Sequence, residues 1–140
     1  YSEVKVKDFS EMMSLIPELG KECIELNPGI KCVTPEYEFC EYLDGEYKET
    51  DISIRHNEAV DRMGNESERI KFKKIPAVKV LSIYHKGNYD QIGEAYAFIT
   101  KYAEENGYKA AGLARESYID GIWNKESVED WLTEIQLPIE

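Results

Sequence analysis

The chain has 140 residues, which is the size of one domain and enough to bury about two-thirds of its unfolded surface. Its formal net charge of -11 opposes contact with phosphates, so these residues alone are not expected to bind nucleic acid. We find no apolar run long enough to span a membrane and no signal-peptide pattern, and we expect no membrane association. The three cysteines lack a CxxC spacing and indicate reduced thiols in a cytoplasmic protein, with neither a metal nor a cofactor.

The first half of the chain predicts a strand, a helix and two further strands. SEVKV (2–6) reads as a short strand. The helical pattern begins near Ser10 and ends at Asn27-Pro28-Gly29, and Pro17 predicts that this helix either begins at the proline or bends there. Two strand patterns follow, PEYEFCEY (35–42) and TDISI (50–54).

The second half repeats this order with a clearer helix. VKVLSIYH (78–85) predicts a strand. The helix that follows places Ile92, Tyr96, Ile99 and Ala103 on one face, and Asn106-Gly107 is a typical C-terminal stop. The last strand, in DWLTEIQLPIE (130–140), alternates between two faces, so Glu134 points away from the largely apolar face of Trp131, Thr133 and Ile135.

The two halves look like copies of one unit. EYLDG and TDISI in the first half match SYIDG and TEIQL in the second, so Asp51 corresponds to Glu134. We therefore predict one domain over residues 1–140, built from pseudo-repeats 1–58 and 71–140 with a polar linker at 59–70. The fold class is α+β: duplicated β-α-β-β halves form one antiparallel sheet, with the helices on one face and a ligand cleft on the other.

Glu134 is the candidate centre of a binding site, although a strand carboxylate facing water would be an ordinary surface residue. If a pocket lies there, the buried carboxylate either takes up a proton or binds a cation. Aromatic rings attract cations, and the chain has ten tyrosines, but most tyrosines in strands are core residues.

His56 and His85 lack a zinc spacing, and Arg115-Glu116 reads as a structural ion pair. We assign no catalytic and no metal residue.

Several longer motifs carry a resemblance to a known family. HKGNYDQIGEAYAFI (85–99), NGY (106–108) and RESYIDGIWNKESVEDWLTEIQLPI (115–139) resemble the gyrase-inhibitory-protein-like small-molecule-binding domain. The chain is most similar to the C-terminal effector-binding domain of MerR-family multidrug-sensing transcription regulators. LIPELGKE (15–22), PEYEF (35–39) and DGEYKETDI (44–52) fit the same subgroup. The helix-turn-helix and the dimerising coiled coil of these regulators are not among these residues.

The resemblance implies a duplicated β-α-β-β fold and a site for lipophilic or aromatic cations. In the family an acidic residue of the last strand, within the TEI motif, neutralises the cation, and that position is Glu134 here. The aromatic residues of the family's pocket correspond to Tyr37, Tyr89, Tyr118 and Trp123. The implied partners are a hydrophobic cationic molecule and, through a separate helix-turn-helix domain, DNA, with a homodimer formed by that missing region.

Three functions follow as hypotheses. The leading one is an effector-binding domain of a bacterial transcription regulator, which is not an enzyme. The alternative is a standalone hydrolase of cyclopropane-containing electrophiles that uses the same glutamate and a tyrosine. The third is a protein-binding module that inhibits a nucleic-acid enzyme through its acidic surface.

Overall fold

A computed structural model describes residues 1–46 and 48–140. The packing divides the chain into two compact units, Tyr1–Ile75 and Pro76–Glu140. Each unit contains one helix and three strands in the order β-α-β-β. The segment 59–70, predicted as a linker, lies within the first unit, where Ile70 is buried. The organisation of residues 1–140 as a single domain stays a prediction.

The first unit is a three-stranded antiparallel sheet with one helix. Its elements are β1 (Ser2–Val6), α1 (Phe9–Leu26), β2 (Glu38–Tyr42) and β3 (Ile52–Glu58). β3 pairs with both β1 and β2, so it is the central strand of this unit. Ile54 lies opposite Val4 on one side and Tyr42 on the other, and the Tyr42 hydroxyl donates to Met12 Sδ of α1 over 3.7 Å. The buried face of this sheet therefore packs on α1.

Local hydrogen bonds define where α1 begins. The Asp8 side chain caps the helix by accepting from the Glu11 N–H over 2.8 Å, and the Glu11 carboxylate accepts from the Lys7 N–H over 2.6 Å. This reciprocal pair satisfies donors that a helix N-terminus otherwise leaves free. The helix does not start at Pro17 but continues through it, at the cost of one backbone hydrogen bond.

The second unit is also a three-stranded antiparallel sheet with one helix. Its elements are β4 (Lys79–Lys86), α2 (Ile92–Glu105), β5 (Arg115–Asp120) and β6 (Leu132–Ile139). β6 is central because it pairs with β4 and with β5. Short 3-10 turns, Tyr89–Gln91 and Val128–Asp130, precede α2 and β6.

α2 packs on β4 and β6 through small and branched residues. Ala95, Ile99 and Ala103 are its buried residues, and Ile135 of β6 is fully buried. The helix ends at Asn106-Gly107 as predicted: Gly107 has a φ of 75°, a left-handed conformation that favours glycine. The Tyr108 N–H then donates to the Ala103 carbonyl over 2.9 Å.

The structure confirms three predictions about the fold: its α+β class, the β-α-β-β order of both halves and the antiparallel pairing of the strands. Within the described residues, neither helix combines the length and the apolar character needed to cross a membrane.

Candidate functional site

The register of β5 on β6 brings a carboxylate to the helix side of the second unit. Glu116 pairs with Ile135 and Tyr118 pairs with Thr133. Residues directly opposite each other in an antiparallel pair point to the same face of the sheet. Glu116 and Tyr118 therefore lie on the face that Ile135 presents to α2.

Glu116 is a buried carboxylate that accepts hydrogen bonds from two tyrosines. Only 7% of the Glu116 residue surface is exposed to solvent. The Tyr96 hydroxyl of α2 donates to Oε2 over 2.6 Å, and the Tyr118 hydroxyl donates to Oε1 over 3.3 Å. These three residues tie α2 to β5 through polar groups in an otherwise apolar layer.

Two further aromatic rings extend this group. The Tyr89 ring lies edge-on to Tyr118 with the ring centroids 5.8 Å apart, and it is tilted against Trp131 at 5.3 Å. The 3-10 turn that carries Tyr89 is held by Asn88, whose side chain accepts from the Asp90 N–H. We call Glu116, Tyr96, Tyr118, Tyr89 and Trp131 together the Glu116 cluster.

The electrostatics of the cluster follow from burial. Desolvation raises the pKa of Glu116 above its usual 4.5, while the Tyr96 and Tyr118 hydrogen bonds and the charge of His85 oppose that rise. Burial also raises the pKa of Tyr96, and the nearby Glu116 carboxylate adds to this. The cluster therefore holds an acidic group whose ionised form is unfavourable without a positive partner.

Two polar atoms, one in the cluster and one on the neighbouring strand residue Thr133, are buried without a hydrogen-bond partner among the residues that the structure describes. They are the Thr133 hydroxyl and the Trp131 Nε1–H. Thr133 is fully buried and lies between His85 and Tyr118 in the sheet register. Buried polar atoms are nearly always hydrogen-bonded in folded proteins, so such exceptions are informative.

Glu134 lies on the opposite face of the same sheet. It pairs with Tyr84 and Ser117, is partly exposed, and accepts from the Ser82 hydroxyl over 2.6 Å. Tyr84 beside it is 60% exposed. The structure therefore separates Glu134 from Tyr118 and Tyr89, with which it was expected to share a site. A cleft on the Glu134 face stays a prediction.

The other predicted site residues are Trp123 and Tyr37, together with Asp51 as the counterpart of Glu134. Trp123 follows β5 and is 52% exposed. A Cβ atom at position 121 would come 2.4 Å from the Trp123 ring, so this ring position is compatible only with glycine at residue 121. Tyr37 belongs to the first unit, where its ring is 5.1 Å from that of Phe39. Asp51, matched by sequence to Glu134, precedes β3 and has a φ of 51°, so the match pairs a turn residue with a strand residue.

Glu116 and Tyr96 were not among the site residues predicted from the sequence. Glu116 was interpreted as the ion-pair partner of Arg115, but neighbouring strand residues point to opposite faces, and Glu116 faces Tyr96 instead. The signal was present in the strand pattern, because Glu116 and Tyr118 are two residues apart and share a face.

One group of side chains has the spacing of metal ligands. The ligand atoms of Cys32, Glu36 and Glu58 lie within 4.8 Å of one another, and all three residues are exposed. The hydrogen bond from Cys32 to Glu58 raises the pKa of the thiol to about 12, and desolvation adds to that rise. Exposed acidic groups commonly lie close together without a bound ion, so we assign no metal to this group.

A carboxylate buried among aromatic rings is an arrangement that can orient and neutralise a small organic ligand. The chain belongs to the family of GyrI-like small-molecule-binding domains, whose family model matches residues 4–140.

Two solved structures are similar to the chain. One is the crystal structure of the EcmrR C-terminal domain, with 43% identity and a TM-score of 0.90, covering 99% of this chain and 88% of that one. The other is EcmrR in a cryo-EM structure of an EcmrR–DNA complex, with 43% identity and a TM-score of 0.91. The match covers 99% of this chain and 52% of the EcmrR chain in that complex, so this chain spans about half its length.

EcmrR is a regulator of the MerR family, so the predicted similarity to the C-terminal domain of such a regulator is confirmed. No curated protein sequence matches the chain.

Proposed function

We propose that this chain is the effector-binding part of a transcription regulator and that the Glu116 cluster binds a lipophilic, aromatic monocation. Family membership and the similarity to the EcmrR C-terminal domain support the first half of the proposal. The geometry of the cluster supports the second half.

The observation that carries the proposal is the burial of Glu116 with two neutral donors. Hydroxyl groups solvate a carboxylate less well than water does, so ionisation of Glu116 stays unfavourable in the free protein. A cation bound nearby would supply the missing positive charge in a desolvated environment. The rings of Tyr89, Tyr118 and Trp131 would add cation–π contacts of about 0.5 to 2 kcal/mol each.

The test is a pair of ligands with the same shape and different charge. Methyltriphenylphosphonium is a monocation, and 1,1,1-triphenylethane is its neutral counterpart, with carbon in place of phosphorus and no hydrogen-bonding atom. We expect the cation to bind at least tenfold more tightly in calorimetric titrations and to quench tryptophan fluorescence through Trp131. Equal affinity for the two compounds would contradict the proposal, because a site without a functional carboxylate does not discriminate by charge.

We further propose that DNA contact requires a separate helix-turn-helix domain and that the regulator acts as a homodimer in the cytoplasm. The similarity to about half of the EcmrR chain, which is seen in a complex with DNA, supports DNA contact through a separate domain. The net charge of -11 opposes DNA binding by these residues themselves. We expect no shift of duplex DNA in gels at micromolar protein, and a salt-dependent shift would contradict this.

A second candidate function is hydrolysis of a cyclopropane-containing electrophile. The observation that favours it is a carboxyl group with a raised pKa in contact with two phenols, since such a group suits general acid–base chemistry. Multiple turnovers of such a compound, lost in Glu116→Gln, would favour the enzyme over the sensor.

A further inference from the structure

Thr133 combines complete burial with a hydroxyl that has no partner among the described residues. It is the second residue of β6, the central strand of the second unit, and is paired with His85 on one side and Tyr118 on the other. Trp131 lies two residues earlier, just before β6, and its Nε1–H is also buried without a hydrogen-bond partner among the described residues. Both polar atoms therefore lie next to the rings of the Glu116 cluster.

An unpartnered buried hydroxyl lowers the stability of the free protein, because its hydration is lost without replacement. A hydrophobic residue of the same shape would avoid that cost: valine differs from threonine by a methyl group in place of the hydroxyl. The position is thus unfavourable for the fold alone, and a ligand that hydrogen-bonds to the hydroxyl would offset the cost.

The chemistry of the two atoms indicates what such a ligand carries. An indole N–H can only donate, and a threonine hydroxyl can donate or accept. Both can therefore serve one kind of group, a hydrogen-bond acceptor. Glu116, which would neutralise the positive charge, and Thr133 lie on neighbouring strands and on the same face of the sheet.

We infer that Thr133 is a specificity-determining residue and that the preferred ligand is a lipophilic cation bearing an ether or carbonyl oxygen, which accepts from the Thr133 hydroxyl and the Trp131 N–H. This inference rests on the proposed function, because it assigns a second recognition element to the same site.

The test uses two cations that differ at one atom. (3-Methoxypropyl)triphenylphosphonium carries an ether oxygen where pentyltriphenylphosphonium has a methylene group. Their affinities are measured by calorimetry for the wild type, for Thr133→Val and for Thr100→Val, a matched control on the exposed surface of α2. Thermal melts of all three proteins accompany the titrations.

We expect Thr133→Val to weaken binding of the ether about 3- to 10-fold, the range of one neutral hydrogen bond, with the pentyl compound bound as tightly as before or more so. Its melting temperature should equal or exceed that of the wild type, and Thr100→Val should leave the ratio of affinities unchanged. Equal losses for both cations, no loss for either, or a strongly lowered melting temperature would overturn the inference. If neither cation binds to the wild type, the proposed function fails and the inference fails with it.

Discussion

Replacing Glu116 by glutamine removes the buried charge and keeps the shape of the side chain. The amide can still accept from Tyr96, so the link between α2 and β5 is retained. A charge-assisted contact in a desolvated site is worth about 1.5 to 3 kcal/mol, which corresponds to about 10- to 150-fold in affinity. Glu134 provides the control, because it is partly exposed and a surface ion pair is worth about 0 to 1 kcal/mol, at most about fivefold.

The assay is the titration of methyltriphenylphosphonium and its neutral counterpart 1,1,1-triphenylethane into Glu116→Gln and Glu134→Gln. We expect Glu116→Gln to lose affinity for the cation while its affinity for the neutral compound changes little. A large loss in Glu134→Gln with none in Glu116→Gln would refute the assignment of the charge to Glu116. It would instead support the site first predicted around Glu134.

Three further predictions concern the free protein. Because the pKa of Glu116 is raised above 4.5, the folded protein retains a proton that the unfolded chain releases, so this residue lowers stability as the pH rises above that value. Glu116→Gln should remove this loss of stability. Thermal melts of the variant from pH 4 to 8 with the same pH dependence as the wild type would contradict the prediction. Tyr96→Phe removes a hydrogen-bond donor to the Glu116 carboxylate and should lower the free energy of unfolding, measured by urea denaturation, by about 0.5 to 1.5 kcal/mol. The same change should raise the pKa of Glu116 further, which an NMR titration would measure. Asp8→Ala removes the cap of α1 and should cost about 1 kcal/mol in the same denaturation assay, whereas Asp8→Asn should cost much less.

Periodicity and local signals predicted the elements of the fold well. The helix stop at Asn106-Gly107 and the alternation of β6, with Glu134 facing away from Thr133 and Ile135, are both present in the structure. These features depend on residues close together in the sequence, and the physical rules that govern them are local.

The composition of the site depends on contacts between distant residues. Glu116 and Tyr96 are 20 positions apart and meet only because α2 packs across the sheet. The face that Glu116 occupies relative to Thr133 is set by the register of β5 on β6, which a single strand pattern does not contain. The TEI motif therefore predicted Glu134, which lies on the opposite face of the sheet from the buried Glu116 carboxylate.

The central claim is that the ligand binds at Glu116, and a crystal structure of the complex with methyltriphenylphosphonium tests it most directly. We predict that the phosphonium lies beside the Glu116 carboxylate with its phenyl groups against Tyr89, Tyr118 or Trp131. A phosphonium bound on the opposite face of the sheet, against Glu134 and Tyr84, would contradict the claim.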